Sequence, residues 1–104
     1  MDIQIEQQQD KSVIVFDKNV IVGKEAAQIQ NTVLDLIEKG EKTIVADLSK
    51  LDFITSWGIG TLIHALTTCT NRNVKFSLTG VNEKVHEILK KVKLDQIFTI
   101  ESGF

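Results

Sequence analysis

Residues 43–60 read Thr43-Ile44-Val45-Ala46-Asp47-Leu48-Ser49-Lys50-Leu51-Asp52-Phe53-Ile54-Thr55-Ser56-Trp57-Gly58-Ile59-Gly60. The first six residues are mostly apolar on both faces, as a strand in the middle of a parallel sheet should be. From Trp57 the period changes. Ile59, Leu62, Ile63, Leu66 and Cys69 or Thr70 recur at helical spacing, which predicts a helix over 57–71 with these residues on its inner stripe. Ser56 therefore sits at a strand-to-helix turn.

The same pattern continues outward in both directions. Upstream, Ala26, Ile29, Val33, Leu36 and Ile37 share one face of a helix predicted over 24–39, which Gly40 ends. Before it, Ile3 to Gln7 alternates, Gln8 to Lys11 is a polar turn, and Ser12 to Phe16 is an apolar run, so the two strands read as a hairpin. Downstream, Val74, Phe76 and Leu78 alternate with Lys75, Ser77 and Thr79 as a further strand. Asn82 caps a third helix over 82–92 whose inner face is Val85, Ile88, Leu89 and Val92, and Ile97 to Ile100 is a short last strand. Strand and helix alternate after the hairpin, which predicts an α/β layer with a mixed, mainly parallel sheet. Ile44, Val45, Leu62, Leu66, Leu89 and Val92 are expected to be buried. With 104 residues, no proline and no repeat, the chain reads as one domain over 1–104.

Composition removes several classes of function. A net charge of −2 with scattered lysines gives no basic field for nucleic acid. Cys69 is the only cysteine, lies in a helical apolar pattern, and is expected to be a packed small hydrophobe. The start, Met1-Asp2-Ile3-Gln4, lacks the basic and apolar regions of a signal peptide, and no apolar run approaches the roughly 20 residues that cross a bilayer. The expectation is a cytoplasmic protein with no direct membrane insertion.

An enzyme is not expected. Ser56 is placed like a hydrolase nucleophile, but Ile54 stands where G-x-S-x-G needs its first glycine. His64 lies two helical turns beyond Ser56, and His86 reads as a helix-surface residue. Gly58-Ile59-Gly60 lacks the third glycine of a dinucleotide fingerprint, and no Gly-Lys-Ser/Thr follows. His, Cys and carboxylates are not clustered at ligand spacing, so no metal or cofactor is expected. Asp47 ends a strand without the paired acids of a phospho-acceptor receiver. What remains is the chemistry of residues 52–60. Two glycines in a first helical turn cost roughly 1 kcal/mol each relative to alanine, which suggests that bare backbone is wanted for close packing or for a partner. Thr55 or Ser56 is placed as the N-cap, and a phosphate there would meet the positive end of the helix dipole. Trp57, the one tryptophan, falls just off the apolar stripe and is expected to be exposed.

The run from Ile44 to Gly60 resembles the core of single-domain STAS proteins, the anti-sigma factor antagonists of the SpoIIAA and RsbV type. Their pattern is an apolar strand, Asp-Leu-Ser, an apolar pair, then Asp-Ser-Ser/Thr-Gly-Leu-Gly opening a helix. Gly80-Val81-Asn82 with Val85 and Leu89, and then Leu94-Asp95-Gln96-Ile97-Phe98, are similar to the family's third helix and closing segment. The resemblance implies the STAS fold, with helices mostly on one face of the sheet, and a mechanism of partner switching. The unmodified protein binds a serine kinase of the anti-sigma type, phosphorylation releases it, and a cognate phosphatase resets it. The phosphorylated serine maps onto Ser56, with Thr55 as a secondary acceptor, and the partner-binding residues onto Thr55, Ser56, Trp57, Gly58 and Gly60. Thr55 stands where the family has Asp, Trp57 where it has Ser or Thr, and Asn19 and Val22 replace the Gly and an acid of a segment before the first helix. The chain ends at Phe104, so a C-terminal helix is expected to be missing or very short. The resemblance extends to a branch that regulates biofilm output (SypA-like). It leaves open a second reading, an accessory subunit of a lipid ABC-type membrane transporter (MlaB-like) that docks on its ATPase.

Overall fold

The computed structural model describes residues 3–17 and 23–100. Five strands form one sheet in chain order, β1 (Ile3–Gln7), β2 (Ser12–Phe16), β3 (Thr43–Asp47), β4 (Lys75–Thr79) and β5 (Thr99–Ile100). β1 runs antiparallel to β2 and every other pairing is parallel. The crossovers are α1 (Gly23–Glu38), α2 (Ser56–Asn71) and α3 (Glu83–Lys91). The mixed, mainly parallel sheet expected from the alternation is therefore present.

Register decides which side of the sheet is the core. Ile14 lies opposite Ala46, Ala46 opposite Leu78, and Leu78 opposite Ile100. With Ile44 and Phe76 they make one apolar face, and Ile29, Val33 and Leu36 of α1 join the same cluster with Leu62, Ala65 and Cys69 of α2 and Val85 and Leu89 of α3. The opposite face carries a smaller cluster of Val13, Val15 and Val45. Burial pushes the Cys69 thiol up to about 11, so it stays protonated and packs as a small apolar group.

Several of the expected positions change. Val92 is 49 % exposed, because α3 stops at Lys91 and Lys93 adopts a left-handed φ of 63°. That turn swings Leu94 into the core instead, its amide bonded to the Leu89 carbonyl at 2.8 Å. Ile63 is exposed and Leu66 only half-buried, since the inward stripe of α2 runs through Gly58, Thr61, Leu62, Ala65 and Cys69, and its small members let α2 lie close. Ile97 is exposed and β5 begins only at Thr99. The Ile97 and Phe98 amides both bond back to the Leu94 carbonyl, a turn that buries Phe98 against Phe76 with ring centroids 6.4 Å apart. Ile5 is exposed as well, on the edge strand β1, of which only Ile3 is buried. Asn19, Val22 and residues 101–104 lie outside the described residues.

Two glycines with positive φ separate local strain from packing. Gly40 has φ 95° with open space where a Cβ would sit, whereas at Gly80 (φ 68°) a Cβ would lie 2.8 Å from the Ser49 Cβ and 2.9 Å from both the Asp47 Oδ1 and the Ser49 amide nitrogen. Gly40→Ala should cost about 1 kcal/mol, the backbone strain alone. Gly80→Ala should cost at least about 2 kcal/mol, since the Ser49 amide nitrogen and the Cβ fixed to its backbone cannot yield as the end of a flexible side chain can. Equilibrium urea unfolding of the two variants checks the difference, and equal costs would mean that the Gly80 contact is slack.

Candidate functional site

The segment 48–55 leads from the end of β3 to the start of α2 and is pinned at several points. Leu48, Leu51 and Ile54 are buried. The Leu48 amide donates to the Thr79 carbonyl at 2.9 Å, and the Leu51 amide donates to the Leu48 carbonyl at 3.0 Å. Asp47, the last residue of β3, turns its carboxylate back to accept from the Ser49 amide at 2.9 Å, a local turn of the kind aspartate favours. Asp47 thus stands as a polar group closing a turn at a strand end. Asn82 reaches over from the start of α3 and donates from Nδ2 to the Leu51 carbonyl at 2.7 Å. With its apolar residues drawn inward, the segment turns Asp52 and Phe53 to the surface, Phe53 at 46 % exposure.

Thr55 is the N-cap of α2. Its backbone is extended (φ −99°, ψ 174°), and its Oγ1 accepts from the Gly58 amide at 3.3 Å while its carbonyl accepts from the Ile59 amide. Threonine thus does the capping that an aspartate could do at this place, without the charge. Ser56 is consequently the first residue of the helix rather than its cap, and its side chain is exposed. α2 carries no acidic residue in its first turn, so the positive end of its dipole is not offset from within the helix there.

Beyond Ser56 the surface is apolar and bare. Trp57 is 62 % exposed, as its place off the stripe predicts, while its carbonyl accepts from Thr61 Oγ1 at 2.7 Å. The two glycines part company. Gly58 is buried against the core, but Gly60 is exposed, and no heavy atom lies within 4 Å of where its Cβ would be. Packing within the chain does not demand a glycine at 60. Gly60 lies in a groove of about 230 Å³ between α1 and α2, bounded by Ala26, Gln30, Ser56, Trp57 and His64. Gln30 ties the two helices by donating from Nε2 to Thr68 Oγ1 at 2.9 Å. His64 stands in the same groove, yet eight residues of helix separate it from Ser56, roughly 12 Å along the axis, too far for proton transfer.

Thr55, Ser56, Trp57 and Gly60 therefore share one surface at the start of α2, with Gly58 turned inward beneath them. Sequence reasoning missed Phe53 and the second bond of Asn82. In Leu51-Asp52-Phe53-Ile54 three apolar residues stand around one polar one without a period, so nothing local says which of them faces out. The capping pattern revealed one use of the Asn82 carboxamide and was silent about the other. Among the described residues there is no group of three or more His, Cys, Asp or Glu side chains able to hold a metal ion, and no helix long and apolar enough to cross a membrane.

Comparison with known proteins agrees with this architecture. A Thermotoga maritima protein, provisionally assigned as an anti-sigma factor antagonist, is 28 % identical over 94 residues, which cover 84 % of this chain and 83 % of that protein. The crystal structure of a Thermotoga maritima protein with the same provisional assignment superposes with a TM-score of 0.80 at 25 % identity, covering 98 % of this chain and 87 % of the other. The Bacillus cell fate determinant SpoIIAA, solved in its phosphorylated form, shares the fold with a TM-score of 0.72 at 17 % identity, covering 96 % and 91 % of the two chains. The profile of the STAS domain matches residues 2–103, nearly the whole length of the sequence, and the chain belongs to the STAS domain family.

Proposed function

We propose that this protein is a partner-switching regulator of the anti-sigma factor antagonist type, acting in the cytoplasm and controlled at Ser56. Unmodified, it binds a serine kinase of the anti-sigma class through the surface of Thr55, Ser56, Trp57 and Gly60. Phosphorylation of Ser56 releases it, and a phosphatase restores it. The observation that carries this reading is the division of labour at the start of α2. Thr55 caps the helix, leaving Ser56 exposed beside Trp57 and the bare backbone of Gly60. A group added to Ser56 therefore leaves the cap intact. Relatives assigned as anti-sigma factor antagonists, and SpoIIAA solved both with and without its phosphate, support the same reading.

The physical basis of the switch is asymmetric. In the free protein a phosphate of about −1.5 to −2 charges lies at the positive end of α2, where the dipole contributes roughly 0.3–1 kcal/mol in its favour. In the complex the same phosphate has to be desolvated against Trp57 and a partner surface, or else it holds the partner off. A net loss of about 2.8 kcal/mol is a hundredfold change in affinity.

Ser56→Asp should fold as the parent does and behave as the released form, while Ser56→Ala should hold its partner constitutively. Phosphosite mapping of the protein from its own cells, at Ser56 and at Thr55 as the secondary acceptor, is to be paired with pull-downs of both variants. If Ser56 is unmodified under every condition and both variants retain the same protein, the switch is wrong and a subunit docked permanently on a transporter ATPase takes its place. Trp57→Ala should weaken partner binding by about 2 kcal/mol, roughly thirtyfold, with little change in melting temperature. A large loss of stability would instead make Trp57 part of the fold. Gly60→Ala should move stability and binding in opposite directions. The added methyl meets open space, so the helix gains up to about 1 kcal/mol, yet it stands on the docking surface and should reduce affinity. Calorimetric unfolding and titration against the retained partner test both signs, and unchanged affinity removes Gly60 from the interface.

A further inference from the structure

Asn82 uses both ends of its carboxamide. Its Oδ1 accepts from the Val85 amide at 2.9 Å and so caps α3. Its Nδ2 donates to the Leu51 carbonyl at 2.7 Å, across 31 residues of sequence. The two bonds fix the orientation of the amide without ambiguity, since one partner is a donor and the other an acceptor. Close by, Gly80 lets the turn after β4 come against Ser49, where a Cβ would lie 2.8 Å from the Ser49 Cβ. The Leu48 amide adds a bond to the Thr79 carbonyl. The start of α3 and the segment leading to α2 are thereby held as one joint. That segment carries the exposed Phe53, which shares a surface hollow with Asp52, Asn82, Glu83 and Lys84, and runs directly into the cap at Thr55.

We propose that Asn82 is a positioning residue for the Ser56 surface: by capping α3 with one atom and holding the Leu51 carbonyl with the other, it fixes the segment that presents Phe53, Ser56 and Trp57 to a partner. The bond acts on Leu51, three residues before the buried Ile54 and four before the cap of α2, so its loss loosens the stretch from Leu51 to Ile54. A partner that reads Phe53 and Trp57 together then has to order this stretch on binding, and its apparent affinity falls by the fraction of molecules still in the competent arrangement. The affinity part of this inference rests on the partner-switching reading given above, whereas the tether does not.

The capping and tethering roles separate by substitution. Asn82→Asp and Asn82→Ser keep a side-chain oxygen for the Val85 amide, and aspartate and serine are among the best N-caps; the aspartate carboxylate has no donor for the Leu51 carbonyl, and the serine hydroxyl, which can donate, sits one bond short of the place of Nδ2. Asn82→Ala removes both. Amide hydrogen exchange should show the Leu51 amide exchanging at least tenfold faster in the Asp and Ser variants, with amides from Val85 to Leu89 unchanged. Trp57 fluorescence anisotropy should fall, and binding of the protein retained by Ser56→Ala should weaken at least threefold. Only Asn82→Ala should also lose protection within α3. Unchanged exchange at Leu51 in the Asp and Ser variants overturns the proposal, as does faster exchange with unchanged affinity. Equal acceleration along α3 in these variants also overturns it, because Asn82 is then a helix cap and nothing more. If no protein is held selectively by the unphosphorylated form, the partner-switching reading fails separately, and exchange at Leu51 with the Trp57 anisotropy still decides whether Asn82 positions the segment.

Discussion

β3 is paired along its length on both sides, to β2 and to β4, and it is apolar on both faces, with Ile44 and Ala46 toward the helices and Val45 away from them. A strand so placed cannot slip, because a shift of one residue would send Ile44 and Ala46 to the wrong face. Everything at the site is measured from its end. Asp47 leaves the sheet with its carboxylate folded back on the Ser49 amide, and the chain then has to reach α2 while keeping Leu48, Leu51 and Ile54 in the core. Three buried side chains within seven residues leave few ways to make that journey. In the one taken, Phe53 faces solvent and the chain arrives at Thr55 in the extended conformation that an N-cap requires.

The site is therefore held by the fold rather than by strong interactions of its own. Among the described residues, the ion pair of Lys50 with Asp17 at 3.0 Å lies between largely exposed side chains and contributes little. The burial beneath the segment and the two bonds of Asn82 do more, because they act on backbone that is partly out of water. A rigid frame under an exposed serine suits a surface that is recognised by shape. It also suits one that is altered by a charge, since the frame does not depend on the hydroxyl being altered.

The departures of this chain from its family's pattern acquire physical meaning in this setting. Threonine at 55 retains the capping oxygen and drops the negative charge. Tryptophan at 57 puts a large aromatic surface where the family has a small hydroxyl residue. The start of α2 is thus less acidic and more apolar than the family pattern implies, while the fold that carries it is the same.

The order of elements was legible in the sequence because each rests on a local period: two for the strands, 3.6 for the helices, with Gly40 and Asn82 as punctuation. Ser56 at a strand-to-helix turn and Trp57 off its helix's stripe followed from the same periods. The inward faces of α2 and α3 were legible only in part. Ile63 and Val92 are as apolar as their buried neighbours, and what excludes them is the placement of α2 through its small residues and the left-handed turn at Lys93. Hydrophobicity records what a side chain prefers, while the space left by other elements decides whether it is granted. The bond from Asn82 to Leu51, the contact that makes Gly80 a glycine and the open space over Gly60 all involve atoms from different elements or the lack of them. They belong to the tertiary structure alone, because no period within one segment encodes what another segment brings alongside it.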